Sequence, residues 1–325
     1  MAAPTAAGPS AAIRPNRAAD PIYRRVRVTR RDTRVFVGKL VLAAALAALG
    51  AVLALNGNLL VAGAGILLLA AIYTHAVELQ HQCLHHSAFR RAGLHRIVGV
   101  PLGLPLLVSY SHYRVRHLQH HRYLGTPMDS EFFGFDPRRP LTVRILLRGM
   151  FDYWRLALVA RDVWLSLRGR WQYGLGQIGE RSRRNVMGEY RLIGLLAVVA
   201  AASAAAGAES PLLRLWLLPF AVATPIHFLV ELPEHVLCDT ESTDVLRNTR
   251  SITGSRLSTW FTNGNNLHVE HHAAMTVPIN RLRERHQEVL RVAGHVERTY
   301  SAAYRRVFAA ALKPAGRGRE NENGG

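Results

Sequence analysis

The sequence predicts an all-α integral membrane protein: four transmembrane helices in two hairpins, a re-entrant or interfacial segment, and a cytosolic helical cap carrying histidine boxes. Three observations lead to this prediction. Hydrophobic residues make up 49% of the 325 residues although the formal net charge is +19, so apolar and basic residues must be segregated along the chain. Apolar stretches of about 20 residues, the length that crosses a bilayer, occur in pairs around short polar turns. Most of the 16 histidines are clustered outside those stretches.

Residues 1–31 lead into the first apolar stretch. They combine alanine, proline and arginine without periodicity and end in the basic run YRRVRVTRR at 23–31. We expect a disordered arm whose basic end contacts anionic lipid. A cleaved signal peptide is disfavoured because the apolar run begins too late, while an arginine-rich organelle transit peptide stays open as an alternative.

Two apolar stretches predict the first transmembrane hairpin. They cover residues 35–55 and 59–77, and the uncharged turn NGN lies between them at 56–58. A turn this short places both outer ends of the pair on the same side of the membrane. Residues 97–108 are also apolar, but this stretch is too short to cross a bilayer, so it predicts a re-entrant or interfacial segment.

The second hairpin is predicted over residues 192–207 and 212–232, around the turn AESP at 208–211. Between the two hairpins, residues 129–190 are polar and amphipathic, which predicts helices that lie along the cytosolic interface. The tryptophans of this region stand among arginines: Trp154, Trp164 and Trp171. We therefore expect a membrane domain over 32–300, followed by a helix end and a disordered tail at 301–325.

The position of the arginines predicts the orientation. They flank the apolar stretches, as in the cytoplasmic loops of membrane proteins, so both termini and every histidine-rich segment are expected on the cytosolic side of a bacterial inner membrane. Nucleic-acid binding is disfavoured, because it would place basic and aromatic residues together on a soluble fold. Cys83 and Cys238 are too few for a disulfide framework and are expected to be reduced thiols.

Three histidine clusters lie outside the predicted spans: HQCLHH at 81–86, HLQHH at 117–121 and HVEHH at 268–272. Each places two or three imidazoles three or four residues apart, on one helix face, where neutral rings can bind a metal. One such cluster is weak evidence, since a solvated helix can carry it by chance. Three clusters on one membrane face indicate a shared metal site.

The clusters do not fit other common metal sites. A zinc protease needs HExxH, but position 82 is Gln, and Glu270 lies between His268 and His271. A soluble di-iron bundle uses carboxylates on four helices, and these are missing here. Without His86, the clusters contain eight histidines (two, three and three), which are too many for one tetrahedral zinc but suit two metals with open positions.

The chain resembles the membrane fatty acid desaturase superfamily, in which three histidine boxes bind a non-haem di-iron centre. The matching segments are HQCLHHSAF at 81–89, YRVRHLQHHRYLGTPMDSEF at 113–132, LPEHVLCDT at 232–240 and NTRSITGSRLSTWFTNGNNLHVEHHAAMTVPINRLRERH at 248–286. The resemblance extends over roughly residues 35 to 295. One departure is Gln82, which stands where the first box usually has Asp or Glu.

The resemblance implies two irons, O2 as co-substrate, and nine histidine ligands, eight from the boxes and one from the Glu-His pair before the third box. The nine are His81, His85, His117, His120, His121, His235, His268, His271 and His272. It also implies that Asn266 reaches an iron through water. Local spacing suggests that Glu78, His227 and Glu231 support the ligands, and that His86 either supports them or is exposed.

The remaining histidines are first interpreted as structural. His95 and His295 are expected to be exposed, His112 structural, and His286 a packing or hydrogen-bonding residue. His75 lies near the cytosolic end of the second predicted span, where an ionisable residue is functional by default.

The resemblance implies O2-dependent oxidation of an unactivated C–H bond in a lipid or acyl chain, with desaturation as the expected outcome. No catalytic side chain is expected beyond the metal centre. A hydroxylase or tailoring oxygenase acting on a specialised metabolite stays open, as does a membrane metal-binding protein without turnover. Because the sequence shows no flavin, haem or dinucleotide motif, we expect a separate protein such as a ferredoxin to supply the electrons.

Overall fold

Two long helices form the first hairpin of the computed structural model, which describes residues 21–129, 135 and 139–313. Helix α1 is Arg30–Ala54 and helix α2 is Leu59–Leu84. Thr29 and Asp32 form a capping box at the start of α1, and the Asn58 side chain caps α2. At 1.5 Å per residue, the 26 residues of α2 extend about 39 Å, beyond a hydrocarbon core of roughly 30 Å.

The hairpin is packed closely around one glycine. A Cβ added to Gly65 would lie 2.2 Å from the backbone nitrogen of Ala54, so only glycine allows the two backbones this approach. Side chains on the outer face of α1 are open instead, with Val41 64% and Val52 70% exposed. Exposed valines along an apolar helix are typical of a surface that faces lipid.

The part of the basic arm that the structure describes is ordered. Pro21–Tyr23 form a 3₁₀ turn, and Ile22 is buried against Val269 and Val289. A guanidinium nitrogen of Arg285 also donates to the Ile22 carbonyl oxygen. Helix α1 therefore follows a docked segment, whereas residues 1–20 and 314–325 of the predicted arm and tail lie outside the described residues.

A bent pair of helices follows the first hairpin. Helix α3 (Ala92–Gly103) continues into a 3₁₀ turn at Leu104–Leu106, and helix α4 (Tyr110–Tyr123) begins after Leu107, whose φ is +57°. The two arms differ in direction by 96°. The apolar stretch predicted over 97–108 lies at this bend, with the second histidine cluster on α4.

The next three helices lie between the bent pair and the last apolar helix. They are α5 (Val143–Met150), α6 (Arg155–Leu167) and α7 (Glu180–Ser203). Helix α7 begins well before the predicted start at 192, because its polar first half is anchored rather than solvated. Buried Glu189 accepts hydrogen bonds from the side chains of Arg96, Ser109 and Ser111.

Helix α7 leads to α9 through a break. Two π-helical segments, Ala204–Ala208 and Leu213–Leu217, flank the four-residue helix α8 (Glu209–Leu212), and α9 covers Leu218–His235. Gly207 has a φ of +90°, a conformation that glycine adopts without strain, so the turn begins at this residue, just before AESP. On either side of the break, the chain is long enough to cross a bilayer.

The chain after α9 forms a polar region of short elements. It contains helices α10 (Val245–Asn248), α11 (Arg256–Phe261), α12 (His268–Ala273), α13 (His286–Val292) and α14 (Tyr300–Ala311), with a 3₁₀ helix at Ile279–Arg285. Strands β1 (Ser251–Ile252) and β2 (Val296–Glu297) pair in parallel. The structure is thus mostly helical, as predicted.

Within the part of the chain that the structure describes, three helical segments are long and apolar enough to cross a membrane: Arg30–Ala54, Leu59–Leu84 and Glu180–His235, the last with the break at Gly207. The bent pair α3–α4 brings the number to four if it counts as one span. These findings agree with an all-α membrane protein.

Candidate metal centre

The nine predicted histidines meet at the ends of four helices and form two groups. Within each group, the candidate ligand atoms lie within 4.8 Å of one another. We call them the five-histidine group and the four-histidine group. The five-histidine group contains His81, His85, His117, His121 and His271, and the four-histidine group contains His120, His235, His268 and His272.

The spacing of histidines along each helix explains which group each ring joins. His81 and His85 are four residues apart at the end of α2, so both rings face the same way. On α4, His117 and His121 share one group, while His120 turns toward the other. Likewise, α12 gives His271 to one group and His268 and His272 to the other. The clusters therefore interleave, and neither group comes from one segment.

Helix α12 is only six residues long and is held by its surroundings. The Ser251 hydroxyl donates to Glu270 Oε2 at 2.5 Å and accepts from the Val269 backbone N–H. The other oxygen of Glu270 is 2.5 Å from Nδ1 of His286, so this histidine supports the third box through a hydrogen bond. Isolated helices of this length are unstable in water, so these contacts keep α12 in place.

The rings face one another through their Nε2 atoms. In the five-histidine group, the Nε2 atoms of His81 and His117 are 2.6 Å apart, and those of His121 and His271 are 3.1 Å apart. A neutral imidazole carries one proton, so converging ring nitrogens cannot all donate to one another. Lone pairs brought this close are stabilised by a cation between them, and the donor set therefore fits a metal.

Burial keeps these rings in the form that binds metals. His268 is 2% and His271 0% exposed. Burial, and then the neighbouring imidazoles, hold the pKa of His85, His268 and His272 well below the ordinary value for histidine. Neutral imidazole is the ligand form, so the protein presents these nitrogens without a competing proton.

Three rings of the four-histidine group form hydrogen bonds through Nδ1, the ring nitrogen that faces away from the centre. Nδ1 of His120 is 2.9 Å from Oδ1 of Asp129, Nδ1 of His235 is 3.1 Å from the Asn248 carbonyl oxygen, and Nδ1 of His268 is 3.0 Å from Oδ1 of Asn265. Each acceptor fixes the ring proton on Nδ1 and directs Nε2 toward the centre. Among the described residues, Nδ1 has no hydrogen-bond partner in His272 of this group, nor in His81 and His85 of the five-histidine group. Three of the four rings in the four-histidine group are thus oriented by an acceptor.

Three predicted supporting residues come together in a third group. Ligand atoms of Glu78, His227 and Glu231 lie within 4.8 Å of one another, and His227 Nε2 is 3.3 Å from Glu231 Oε1. His227 and Glu231 line the same cavity as His235 and His268. The group thus borders the four-histidine group.

Two other predicted supporting residues lie elsewhere. The amide nitrogen of Asn266 donates to the Ile252 carbonyl oxygen at 2.6 Å, and its neighbour Asn265 is the one that contacts a box histidine. His86 is exposed and stacks on His95, with the ring centroids 4.6 Å apart.

The remaining histidines differ in their surroundings. His95 is 1% exposed, contrary to the prediction of an exposed residue, because its Nε2 accepts from the Phe89 backbone N–H. His295 is half-buried. His112 hydrogen-bonds the Tyr190 hydroxyl. His75 stacks on Trp260 and hydrogen-bonds the Phe261 carbonyl oxygen, which ties α2 to the segment before the third box.

A cavity of about 620 Å³ borders both histidine groups. Its lining includes His81 and His117 from the five-histidine group and His120, His235 and His268 from the four-histidine group. Its apolar wall includes Val77, Leu106 and Phe228, while Arg116, Arg155 and Asp162 add charged groups. Its size lies within the range of small-molecule sites, and its wall combines apolar contacts with a few polar groups.

The family model described as fatty acid desaturase matches residues 56–304, which is most of the chain and includes all nine histidines. The chain belongs to the fatty acid desaturase family. Members of this family are generally oxidoreductases that oxidise lipids with oxygen at a histidine-rich metal site, and they are known for using two irons. In this desaturase-family protein, the five- and four-histidine groups lie within the matched residues and could each hold a metal ion. No curated protein matches the chain significantly.

Proposed function

We propose that this protein is a membrane desaturase that introduces a C=C bond into a lipid or acyl chain at a di-iron centre. One observation carries the proposal: nine histidines, contributed by four helices, present two adjacent sets of converging ring nitrogens beside a cavity. Nitrogen ligands and open positions suit ferrous iron and oxygen.

The five-histidine group would hold one iron and the four-histidine group the other. When bound, the irons supply the reduction of O2 and the abstraction of hydrogen from an unactivated C–H bond, which no side chain performs. In the overall reaction, a CH2–CH2 unit, O2, two electrons and two protons give a CH=CH unit and two waters.

The protein's own residues position the substrate and exclude water. Val77, Leu106 and Phe228 would hold a hydrocarbon chain against His120 and His268. Because seven of the nine histidines are buried, the oxidant would be shielded from solvent, which limits side reactions.

The membrane arrangement proposed for this reaction has two hairpins, α1–α2 and α7–α9, and a re-entrant bent pair α3–α4. It places both termini and the metal centre on the cytosolic side of a bacterial inner membrane. The length of α2 supports it, because His81 lies near the end of a helix that extends past the hydrocarbon core.

The two electrons are proposed to come from a separate protein such as a ferredoxin. Arg24, Arg25, Arg27 and Arg30 are exposed beside the docked Pro21–Tyr23 segment, which touches α12 through Ile22 and Val269. A cluster of this charge attracts an acidic protein and is screened by salt.

One observation favours a second function, a hydroxylase or tailoring oxygenase acting on a specialised metabolite. Arg155, Asp162 and Glu231 line the cavity, and a substrate with polar groups would pair with them better than a plain acyl chain. A metal-binding protein without turnover is the remaining alternative.

The test compares cells with and without the protein, followed by turnover of the purified protein with O2, ferredoxin and extracted lipid. Mass spectrometry separates the outcomes: desaturation removes two hydrogens and hydroxylation adds one oxygen. Two irons per chain and a new alkene support the proposal. Zinc alone, or iron without any product, contradicts it.

A further inference from the structure

A carboxylate lies against the four-histidine group. Glu234 precedes His235 at the end of α9, and its side chain is buried. Its Oε2 atom is 3.2 Å from Nε2 of His268. The same Nε2 atom lies 3.0 Å from Nε2 of His235 and 3.1 Å from Nε2 of His272. Glu234 thus faces the point on which these imidazoles converge.

Asn265 determines which nitrogen of His268 carries the proton. Its amide nitrogen donates to Glu234 Oε1 at 3.0 Å, so its carbonyl oxygen is the atom that faces Nδ1 of His268, also at 3.0 Å. A carbonyl oxygen only accepts, so Nδ1 of His268 must donate. If the Asn265 amide were rotated by 180°, its oxygen would face the Glu234 carboxylate, and two acceptors would repel each other. A neutral His268 therefore presents a lone pair at Nε2.

With His268 neutral and Glu234 ionised, the forms that bind a metal, the 3.2 Å contact between them joins two acceptors. An ionised carboxylate oxygen and a nitrogen lone pair repel each other at this distance, unless a cation lies between them. The low exposure of both side chains, 5% for Glu234 and 2% for His268, keeps solvent from screening that repulsion. Both atoms instead have the arrangement of neighbouring ligands around one metal.

The geometry assigns Glu234 as a carboxylate ligand of the metal held by His120, His235, His268 and His272. This inference rests on the proposed di-iron site and adds an anionic donor to a ligand set otherwise made of neutral nitrogens. Asp129, which accepts from His120, adds further negative charge behind the same group. The iron at the four-histidine group is therefore expected to be the easier of the two to oxidise, since anionic donors stabilise the ferric ion.

The test uses detergent-purified full-length protein loaded with ⁵⁷Fe. Wild type is compared with Glu234→Gln, which keeps the shape and removes the charge, and with Glu234→Asp, which keeps a carboxylate. Glu284→Gln is the charge-matched control, because Glu284 pairs with Arg281 and lies outside both histidine groups. Iron per chain, chelator competition and Mössbauer spectra are measured.

For Glu234→Gln we expect one of two quadrupole doublets to change, and the affinity for the second iron to fall at least 10-fold, the lower end of the effect of losing a contact around a ligand. Glu234→Asp should keep two irons with one altered doublet, and Glu284→Gln should match wild type. If Glu234→Gln does not fold, the aspartate variant decides: two wild-type doublets overturn the inference.

Two irons with unchanged spectra and affinity in Glu234→Gln also overturn the inference and leave the proposed function in place. A wild-type protein with two irons but no product would contradict the proposed function, while the spectra still decide the role of Glu234. A wild-type protein that binds no iron overturns both.

Discussion

The Nε2 atoms of His121 and His271, which are 150 positions apart in the chain, lie 3.1 Å from each other. One ring comes from α4 and the other from α12, so folding alone brings them together.

We expect His271→Ala to remove the iron of the five-histidine group and reduce turnover to the detection limit. Iron analysis and product mass measure this, and His86→Ala is the control because His86 is exposed and outside both groups. Full iron in His271→Ala would contradict the assignment.

Asp129→Asn should weaken iron binding without removing a ligand. The carboxylate accepts from Nδ1 of His120 at 2.9 Å, and the loss of such a contact costs roughly 10- to 100-fold in metal affinity. Chelator competition measures the affinity. Asp239→Asn removes a carboxylate that pairs with Arg247 and lies outside both histidine groups, and this variant should bind iron like wild type. Equal affinities in the two variants would count against a role for Asp129.

Chelation should lower the thermal stability of the wild-type protein. A metal that binds only the folded state stabilises it by about 4 kcal/mol at a concentration 1,000 times its Kd, and its removal also leaves converging lone pairs unscreened. Unfolding in detergent is followed with and without a ferrous chelator. The same chelator should shift the His271→Ala variant less. An equal shift in both proteins would indicate that the chelator acts elsewhere.

Gly65→Ala should destabilise the first hairpin. The added Cβ would lie 2.2 Å from the Ala54 backbone nitrogen, and forced repacking of this kind costs about 1–3 kcal/mol. Gly63→Ala is the matched control, since nothing lies within 4 Å of its added Cβ and alanine favours a helix. Thermal unfolding in detergent should place Gly65→Ala below wild type and Gly63→Ala at or above it. The reverse order would exclude close packing at Gly65.

Reversing the charge of Arg24 and Arg25 should impair electron delivery only. Both side chains are exposed, so an Arg24→Glu, Arg25→Glu variant should raise the KM for an acidic ferredoxin by roughly 10-fold at low salt, with a smaller effect at high salt. Turnover with a small chemical reductant should stay at the wild-type rate. A KM unaffected by charge or salt would contradict docking at this surface.

The convergence of the clustered histidines could be predicted from the sequence because the evidence for it is local. Intervals of three and four residues place imidazoles on one helix face, and this holds at His81 and His85 as it does at His268 and His272. The apolar stretches likewise predict α1 and α2, since length and hydropathy suffice to identify a span.

The surroundings of the ligands could not be predicted in the same way. Asp129, Asn265 and Glu234 contact histidines that lie 3 to 34 positions away, and no spacing rule selects them from other polar residues. The two neighbouring asparagines show the difficulty. Asn265 and Asn266 have the same side chain, and only the folded backbone determines that Asn265 contacts His268 while Asn266 donates to Ile252. His95 was expected to be exposed for a similar reason: its partner is a backbone N–H that appears only in the folded chain.

The dependence of α12 on distant partners has a consequence for biogenesis. Val269 packs on Ile22, and Glu270 hydrogen-bonds Ser251 and His286. A helix of six residues is unstable in water without such contacts. His286 follows all the membrane helices in the chain. The two histidine groups are therefore complete only after synthesis has passed residue 286. Metal binding by both complete groups is accordingly a late step in the maturation of the protein.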